Sequence, residues 1–136
     1  MPTIAFDRAS ATYSGRQILK PTTLTLTEKR IGIIGENGGG KSTLVRLING
    51  LGPVTGGTVT YEGMNVAKQA KAIRKNVGFI FSDADNQIVM PTVAEDIAFS
   101  LRKRKLPKDE RNQLVQEALE RFGLANHSDA SPHLLS

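Results

Sequence analysis

The sequence contains no cysteine among its 136 residues. A disulfide framework and a thiolate zinc site are therefore both excluded, and a reducing setting is compatible with the composition. No apolar run approaches the roughly 18 to 20 residues that a membrane-spanning helix requires. The opening residues, MPTIAFDRAS, lack the basic stretch and apolar core of a secretory signal. We therefore expect a protein that neither spans a membrane nor is exported by that route.

Aromatic residues are also scarce, at 5% of the sequence, and none interleave with the basic residues as base-stacking platforms would. Nucleic acid is therefore not an expected partner, although the formal net charge is +5. Most of this surplus lies in residues 101–111, LRKRKLPKDER, where six basic residues accompany two acidic ones. The segment fits a solvated helix end, because cations are favourable at a helix C-terminus. It also fits a patch that faces acidic lipid headgroups or an acidic partner.

The length predicts one domain or a part of a larger one, and the 39% hydrophobic and 23% charged composition is that of a globular protein. Alternating polar and apolar residues predict half-buried strands at residues 3–6, 22–27 and 58–61. Short, wholly apolar runs predict buried parallel strands at residues 31–34 and 77–81. Helices are predicted from Lys41 to a stop at Gly50, over residues 65–75 and 93–101, and from Pro107 to Gly123. The last helix has a predicted core stripe made of Leu114, Val115, Ala118, Leu119 and Phe122.

The most informative motif is GENGGGKST at residues 35–43, which has the phosphate-loop spacing of Gly, four residues, Gly, Lys and Ser or Thr. Its context fits, because a predicted buried strand precedes it and a predicted helix begins at its lysine. Glycines let the backbone bring its amides close to phosphate oxygens, and the helix dipole favours an anion there. Lys41 supplies a charge for the outer phosphates, and the Ser42 hydroxyl is the expected Mg²⁺ ligand. The predicted nucleotide-binding residues of the motif are Gly35, Glu36, Asn37, Gly38, Gly39, Gly40, Lys41, Ser42 and Thr43.

With this motif, the sequence resembles an ATP-binding-cassette (ABC) ATPase from end to end. The resemblance implies an α/β fold, namely a P-loop NTPase core with an N-terminal antiparallel β subdomain, C-terminally truncated here. Residues 1–136 would form the N-terminal part of a single ABC ATPase domain, with a glutamine-loop region at 77–99 and the start of the helical subdomain at 92–136. Tyr13 lies where the family has the aromatic residue that stacks on adenine.

The segment VGFIFSDADNQIVMPTVAEDIAF, residues 77–99, is similar to the cassette subunits of energy-coupling-factor importers, above all the biotin-importer ATPase and next the cobalt-importer ATPase. One departure is Ser82, which stands at the position of the family's catalytic glutamine. Its hydroxyl is shorter by two carbons, so this role requires a bridging water or Gln87. At the other end, Leu135 and Ser136 match the first two positions of the family's Leu-Ser-Gly-Gly-Gln signature.

The resemblance implies a transport-coupled ATPase that uses ATP and Mg²⁺, pairs with a second cassette of the same or another chain, and lies at the cytoplasmic face of the membrane. An integral membrane subunit is expected to dock near residues 82–101, and biotin is favoured over cobalt as the transported solute. The sequence contains no second aspartate motif, catalytic glutamate or switch histidine. We therefore expect these 136 residues alone to bind nucleotide weakly at most and not to hydrolyse it.

Three alternatives stay open at this point. Asp83 ends an apolar run, as the Mg²⁺ aspartate of a compact phosphate-loop kinase or GTPase does, although the intervening Ser82 turns it to the opposite strand face. A non-hydrolysing adaptor module is the second alternative, because the later catalytic motifs are lacking. The spacing of His127, Asp129 and His133 also allows a metal site, against the simpler interpretation of a surface loop.

Overall fold

The computed structural model describes residues 2–83 and 85–135. Their contacts group the chain into two compact units, one up to Phe79 and a second from Ile80 onward. The prediction that both belong to one domain stays a prediction. Ser136, which was matched to the signature motif, lies outside the described residues.

The first unit contains a four-stranded antiparallel sheet in the order β2-β1-β3-β4. Its strands are β1 (Ile4–Tyr13), β2 (Arg16–Leu26), β3 (Gly56–Tyr61) and β4 (Met64–Asn65). β1 and β2 form a hairpin whose two-residue turn has positive φ at Ser14 (47°) and Gly15 (77°). This geometry matches the twist of the flanking strands. The predicted N-terminal strands are thus confirmed, and β1 and β2 are longer than the alternation indicated because bulges interrupt the period in their ladder.

Two helices complete the first unit, α1 (Lys41–Ile48) and α2 (Val66–Ile73). α1 ends where the sequence predicted, because Gly50 adopts φ 68° and the next amide, of Leu51, returns to the carbonyl of Arg46 at 2.9 Å. The buried core joins residues from the sheet and from both helices: Phe6, Ala9, Ala11, Leu19, Leu47, Val59, Val66 and Ile73. This packing fixes the start of α1 relative to the sheet.

The two predicted parallel strands are wrong for this structure. Residues 31–34 and 77–81 carry no strand assignment, and Ile34 and Ile80 are 97% and 92% exposed. A strand exists only where a neighbour completes its ladder of hydrogen bonds. Within residues 2–83 and 85–135 every paired strand belongs to the antiparallel sheet, so the apolar runs have the composition of buried strands without the pairing.

The second unit is built on α3 (Val93–Leu101) and α4 (Lys108–Arg121), with short 3₁₀ turns around them. The predicted capping box of α3 is confirmed: the Thr92 hydroxyl accepts from the Glu95 amide at 3.3 Å, and the Glu95 carboxylate accepts from the Thr92 amide at 3.2 Å. Val93, Val115 and Leu119 form the buried core of this unit.

Phe122 was predicted to continue the core stripe of α4, but its side chain is 72% exposed. Phe122 is the C-cap residue, with φ and ψ outside the helical range, and Gly123 then reverses the chain with φ 69°. The amide of Leu124 donates to the carbonyl of Leu119 at 2.7 Å, and Leu124 packs on the core instead. The glycine-based helix end therefore exchanges one apolar side chain for another.

None of the helices within the described residues has both the length and the apolar character needed to cross a bilayer.

Candidate functional site

A cleft of about 400 Å³ lies where the phosphate-loop motif meets the start of β2. This volume is in the range of small-molecule sites. One wall is the motif itself, and the other is formed by two of the first residues of β2, Arg16 and Ile18. The lining residues are Arg16, Ile18, Asn37, Gly38, Gly39, Gly40, Lys41, Ser42 and Thr43. The structure therefore brings seven of the nine predicted motif residues to one cleft, with Gly35 and Glu36 outside its lining.

The shape of the loop depends on glycine at position 40. Gly40 has φ 83°, a left-handed conformation that costs other residues energy, and a Cβ there would lie 2.8 Å from the carbonyl oxygen of Ile18. A Cβ at Gly39 would lie 3.0 Å from the carbonyl oxygen of Glu36. The glycines thus let the loop turn tightly and lie directly against β2.

Lys41 extends back along the inside of the loop. Its Nζ donates hydrogen bonds to the carbonyl oxygens of Gly35 and Glu36, at 2.7 Å each. The ammonium is therefore held at the loop backbone, in a position that solvent can still reach. An anion bound by the loop amides would lie beside this charge.

The first turn of α1 has neither a side-chain cap nor an acidic residue. Gly40 precedes the helix and offers no side-chain hydrogen bond, and the first turn consists of Lys41, Ser42 and Thr43. The first amides of any helix have no partner within the helix, and they carry the positive end of its dipole. The donors at this helix start suit a polyphosphate, and the Ser42 hydroxyl beside them suits Mg²⁺, which prefers oxygen ligands.

Tyr13, the predicted adenine-stacking residue, ends β1 and is 40% exposed. It pairs across the hairpin with Arg16, and a Cβ added to Gly52 would lie 2.6 Å from its hydroxyl oxygen. The tyrosine ring thus lies against the Gly52 backbone, and it is Arg16 and Ile18 that line the cleft. Sequence reasoning missed both residues. Ile18 lies outside every strand predicted from the sequence, and the charge of Arg16 had no motif around it.

The other predicted site residues lie in the second unit. Ser82 is exposed, and the Gln87 side-chain oxygen accepts from the amide of Phe81 at 3.4 Å. Asp83 accepts a hydrogen bond from the side chain of Asn86. Every residue that lines the cleft belongs to the first unit, so the roles of Ser82 and Gln87 stay predictions.

The loop before α3 is held by one carboxylate. Asp96 accepts from the amides of Val89 and Met90, at 2.9 and 3.0 Å, through the same oxygen. This contact fixes the backbone of the segment where docking of a membrane subunit is predicted. Sequence reasoning noted Asp96 only as part of a resemblance, and the sequence by itself gave no sign of this role.

The metal site considered for His127, Asp129 and His133 does not form. Among the described residues no group of three or more histidine, cysteine, aspartate or glutamate side chains is placed to hold a metal ion. The Nδ1 atom of His133 instead lies 3.5 Å from a carboxylate oxygen of Asp85, and both side chains are more than half exposed.

The chain is similar to known proteins over nearly its whole length. Residues 19–136 match a family model described as ABC transporter. The chain is 45% identical over 133 residues to a biotin transport ATP-binding protein, BioM, of Rhizobium etli, covering 98% of this chain and 59% of that protein. It is 44% identical over 107 residues to an energy-coupling factor transporter ATP-binding protein, EcfA1, of Lacticaseibacillus paracasei, covering 78% and 38%.

Among solved structures, the chain is similar to cbiO1 from Clostridium perfringens, described as part of the ABC transporter complex cbiONQ. The TM-score is 0.83 at 30% identity, over 98% of this chain and 55% of that one. The chain spans about 60% of the length of the curated relatives that it matches from end to end.

Proposed function

The chain belongs to the ABC transporter family, and on that premise we propose that it binds ATP with its phosphate loop as part of the ATP-binding subunit of an energy-coupling-factor type importer. The α/β fold expected from the sequence, with its antiparallel β subdomain, is confirmed by the match to cbiO1. Family membership favours this function over a compact kinase or GTPase in which Asp83 binds Mg²⁺.

We assign the roles in the site as follows. The amides at the start of α1 hold the outer phosphates, and Lys41 neutralises their charge from within the loop. When bound, Mg²⁺ offsets phosphate charge, and the Ser42 hydroxyl is its protein ligand here. Tyr13, which is 40% exposed, stacks on adenine. Support for these roles is the geometry of the loop: an uncapped helix start, no acid in the first turn and a lysine that donates to two loop carbonyls.

The chain spans about 60% of the length of a curated relative. ATP hydrolysis is therefore proposed for the intact protein and not for these 136 residues alone. Phosphoryl transfer depends on positioning and charge neutralisation, and Lys41 and the loop amides supply only part of both. We propose that a second cassette, from the same or another chain, supplies the opposing contacts. Ser82 and Gln87 are the nearest counterparts to a water-positioning glutamine. The 136 residues alone are expected to release no phosphate above a Lys41→Ala control.

We propose that the protein lies at the cytoplasmic face of the membrane, bound to an integral membrane subunit near residues 82–101. The Asp96 contacts support this, because they give the loop before α3 a fixed backbone, and a rigid surface loses less entropy when it binds. Biotin is the favoured solute, because the biotin transport protein BioM is among the similar proteins. Cobalt is the next, on the resemblance of residues 77–99 alone. Uptake of labelled biotin and of cobalt by cells that lack their own importers, with and without this protein and its membrane subunit, tests that choice.

The observation that carries the proposal is Lys41, hydrogen-bonded to two loop carbonyls, beside an uncapped helix start. The test is calorimetric titration of ATP with Mg²⁺ into the intact protein and its Lys41→Ala variant. Loss of the lysine is expected to weaken ATP binding by about a hundredfold, the equivalent of 2.7 kcal/mol. Lys71→Ala, which removes a cation from α2 in the same unit, is the matched control and should bind normally. Equal ATP affinity of the Lys41→Ala and control variants would refute the proposal.

A further inference from the structure

One wall of the cleft comes from a strand that carries no nucleotide-binding motif. Arg16 and Ile18 both line the cleft, and alternate residues of a strand share one face. Leu19, on the other face of β2, is buried in the core of the unit at 8% exposure. The core therefore fixes which face of β2 is turned to the cleft.

The contact between β2 and the loop also sets the distance of Arg16 from the helix start. Ile18 is the residue whose carbonyl oxygen lies against Gly40, immediately before α1. Arg16 lies two residues before Ile18, at the start of β2. At the usual rise per residue, the two backbone positions are about 7 Å apart. The backbone of Arg16 is thus offset by that distance from the contact with Gly40, which adjoins the amides that would hold the terminal phosphates.

The charge of Arg16 has no carboxylate partner within salt-bridge distance in residues 2–83 and 85–135. Arg16 is exposed, and it lines the same cleft as Lys41, whose Nζ is already bonded to two loop carbonyls. A planar guanidinium can bind a phosphate through two parallel hydrogen bonds, which a lysine cannot do.

Building on the ATP binding proposed above, we propose that Arg16 is a nucleotide-binding residue that contacts the α-phosphate. The loop amides and Lys41 hold the β- and γ-phosphates, and the chain of phosphates continues outward along β2. The Ile18 side chain covers the bound nucleotide with an apolar surface on the same side. Arg16 then distinguishes a nucleotide from a bare pyrophosphate, which ends within the loop.

The experiment measures the affinity of the intact protein for ATP and for inorganic pyrophosphate, each with Mg²⁺, by calorimetric titration. Arg16→Ala is expected to weaken ATP binding about tenfold, and to change pyrophosphate binding less than about twofold. Lys20→Ala is the matched control, because it removes the same charge from an exposed position of the same strand outside the cleft lining. Arg16→Lys keeps the charge but not the fork, so it should recover only part of the loss.

Two outcomes overturn the role of Arg16. In the first, ATP binds Arg16→Ala as well as it binds Lys20→Ala. In the second, Arg16→Ala weakens the binding of ATP and of pyrophosphate equally. The guanidinium would then contact the outer phosphates or attract any anion through its charge alone. Lys41→Ala separates this question from the proposed function, because that variant should lose both ligands whatever Arg16 does. Circular dichroism checks that each variant is folded.

Discussion

Two helices of this protein begin in opposite ways. α3 begins at a capping box, and its first turn contains Glu95 and Asp96. α1 begins at a glycine, with no side-chain cap and no acidic residue in its first turn. The same four backbone amides stand unpaired at the start of any helix. At α3 the chain satisfies these amides itself: the Thr92 hydroxyl accepts from the Glu95 amide, and backbone carbonyls of Ala130 and Ser128 accept from the two amides before it. At α1 no side chain caps the helix, which leaves its first amides to another partner.

The difference shows that a candidate anion site can be recognised by the absence of a side-chain cap and of acidic residues at a helix start. A capping residue contributes about 1 kcal/mol to a helix, and an acidic first turn adds to it. α1 has neither, and instead it has a glycine that lies against β2 and a lysine hydrogen-bonded to the loop backbone. An anionic ligand that binds these amides would supply the missing contacts. Each prediction below alters one of the two helix starts.

The largest effect is expected from Gly40→Ala at α1. The new methyl group meets the Ile18 carbonyl oxygen, and alanine disfavours φ 83°. Together these should lower the free energy of unfolding by about 3 kcal/mol and remove ATP binding. Urea denaturation of the intact protein measures the first and calorimetry the second. Gly32→Ala is the control, because a Cβ there meets nothing within 4 Å; an equal loss in both variants would contradict this account of Gly40.

A somewhat smaller effect is expected from Asp96→Ala near the start of α3. Removing one carboxylate leaves the amides of Val89 and Met90 without their acceptor, at a cost of about 2 kcal/mol for hydrogen bonds to a charged group. Hydrogen exchange of these two amides should accelerate, while ATP affinity stays unchanged. Exposed Asp109→Ala, in the first turn of α4, is the comparison variant and should leave the two amides protected.

Ser42→Ala returns to α1 and should act on metal dependence alone. If the hydroxyl is a Mg²⁺ ligand, the variant should bind ATP about tenfold more weakly than the unmodified protein when Mg²⁺ is present, a difference of about 1.4 kcal/mol. Its affinity without Mg²⁺ and its free energy of unfolding should be unchanged, because this hydroxyl does not cap the helix. Titrations with Mg²⁺ and with a chelator measure the difference; an equal loss in both would assign Ser42 to the phosphates instead.

The smallest effect is expected from Thr92→Ala, which removes the cap of α3. The free energy of unfolding should fall by about 1 kcal/mol. Hydrogen exchange of the Glu95 amide should accelerate, because this amide donates to the Thr92 hydroxyl at 3.3 Å. Thr92→Ser keeps the hydroxyl and should restore protection. ATP affinity should not change in either variant. A drop in ATP binding would mean that the two helix starts are not independent.

Local patterns predicted the parts of the structure that depend on local interactions. The phosphate-loop motif, the end of α1 at Gly50 and the capping box of α3 were all predicted, because each involves residues within a few positions of one another. Phe122 shows the limit of this approach. Its spacing fits the stripe of α4, but the turn at Gly123 places Leu124 on the core, and the helix period alone does not show which of the two is buried.

Residues 31–34 show a second limit. Their composition predicts a buried strand, and in the described residues no partner strand lies beside them. Apolar composition gives a segment a reason to be buried, but hydrogen bonds to a neighbour make it a strand. Arg16 and Ile18 line the cleft because β2 pairs with β1 and lies against Gly40. No sequence motif predicts either contact.

The order of residues by itself determined that a tight glycine-rich loop would form before a helix, because glycine dihedrals, a lysine and an uncapped helix start are properties of neighbours in the chain. The folded arrangement alone decided what faces that loop. β2 lies against Gly40 because the shared core of the unit, with Leu19 and Leu47 in it, holds the strand and α1 together. Contacts between residues more than twenty positions apart depend on that packing, so the second wall of the cleft could be seen only in the structure.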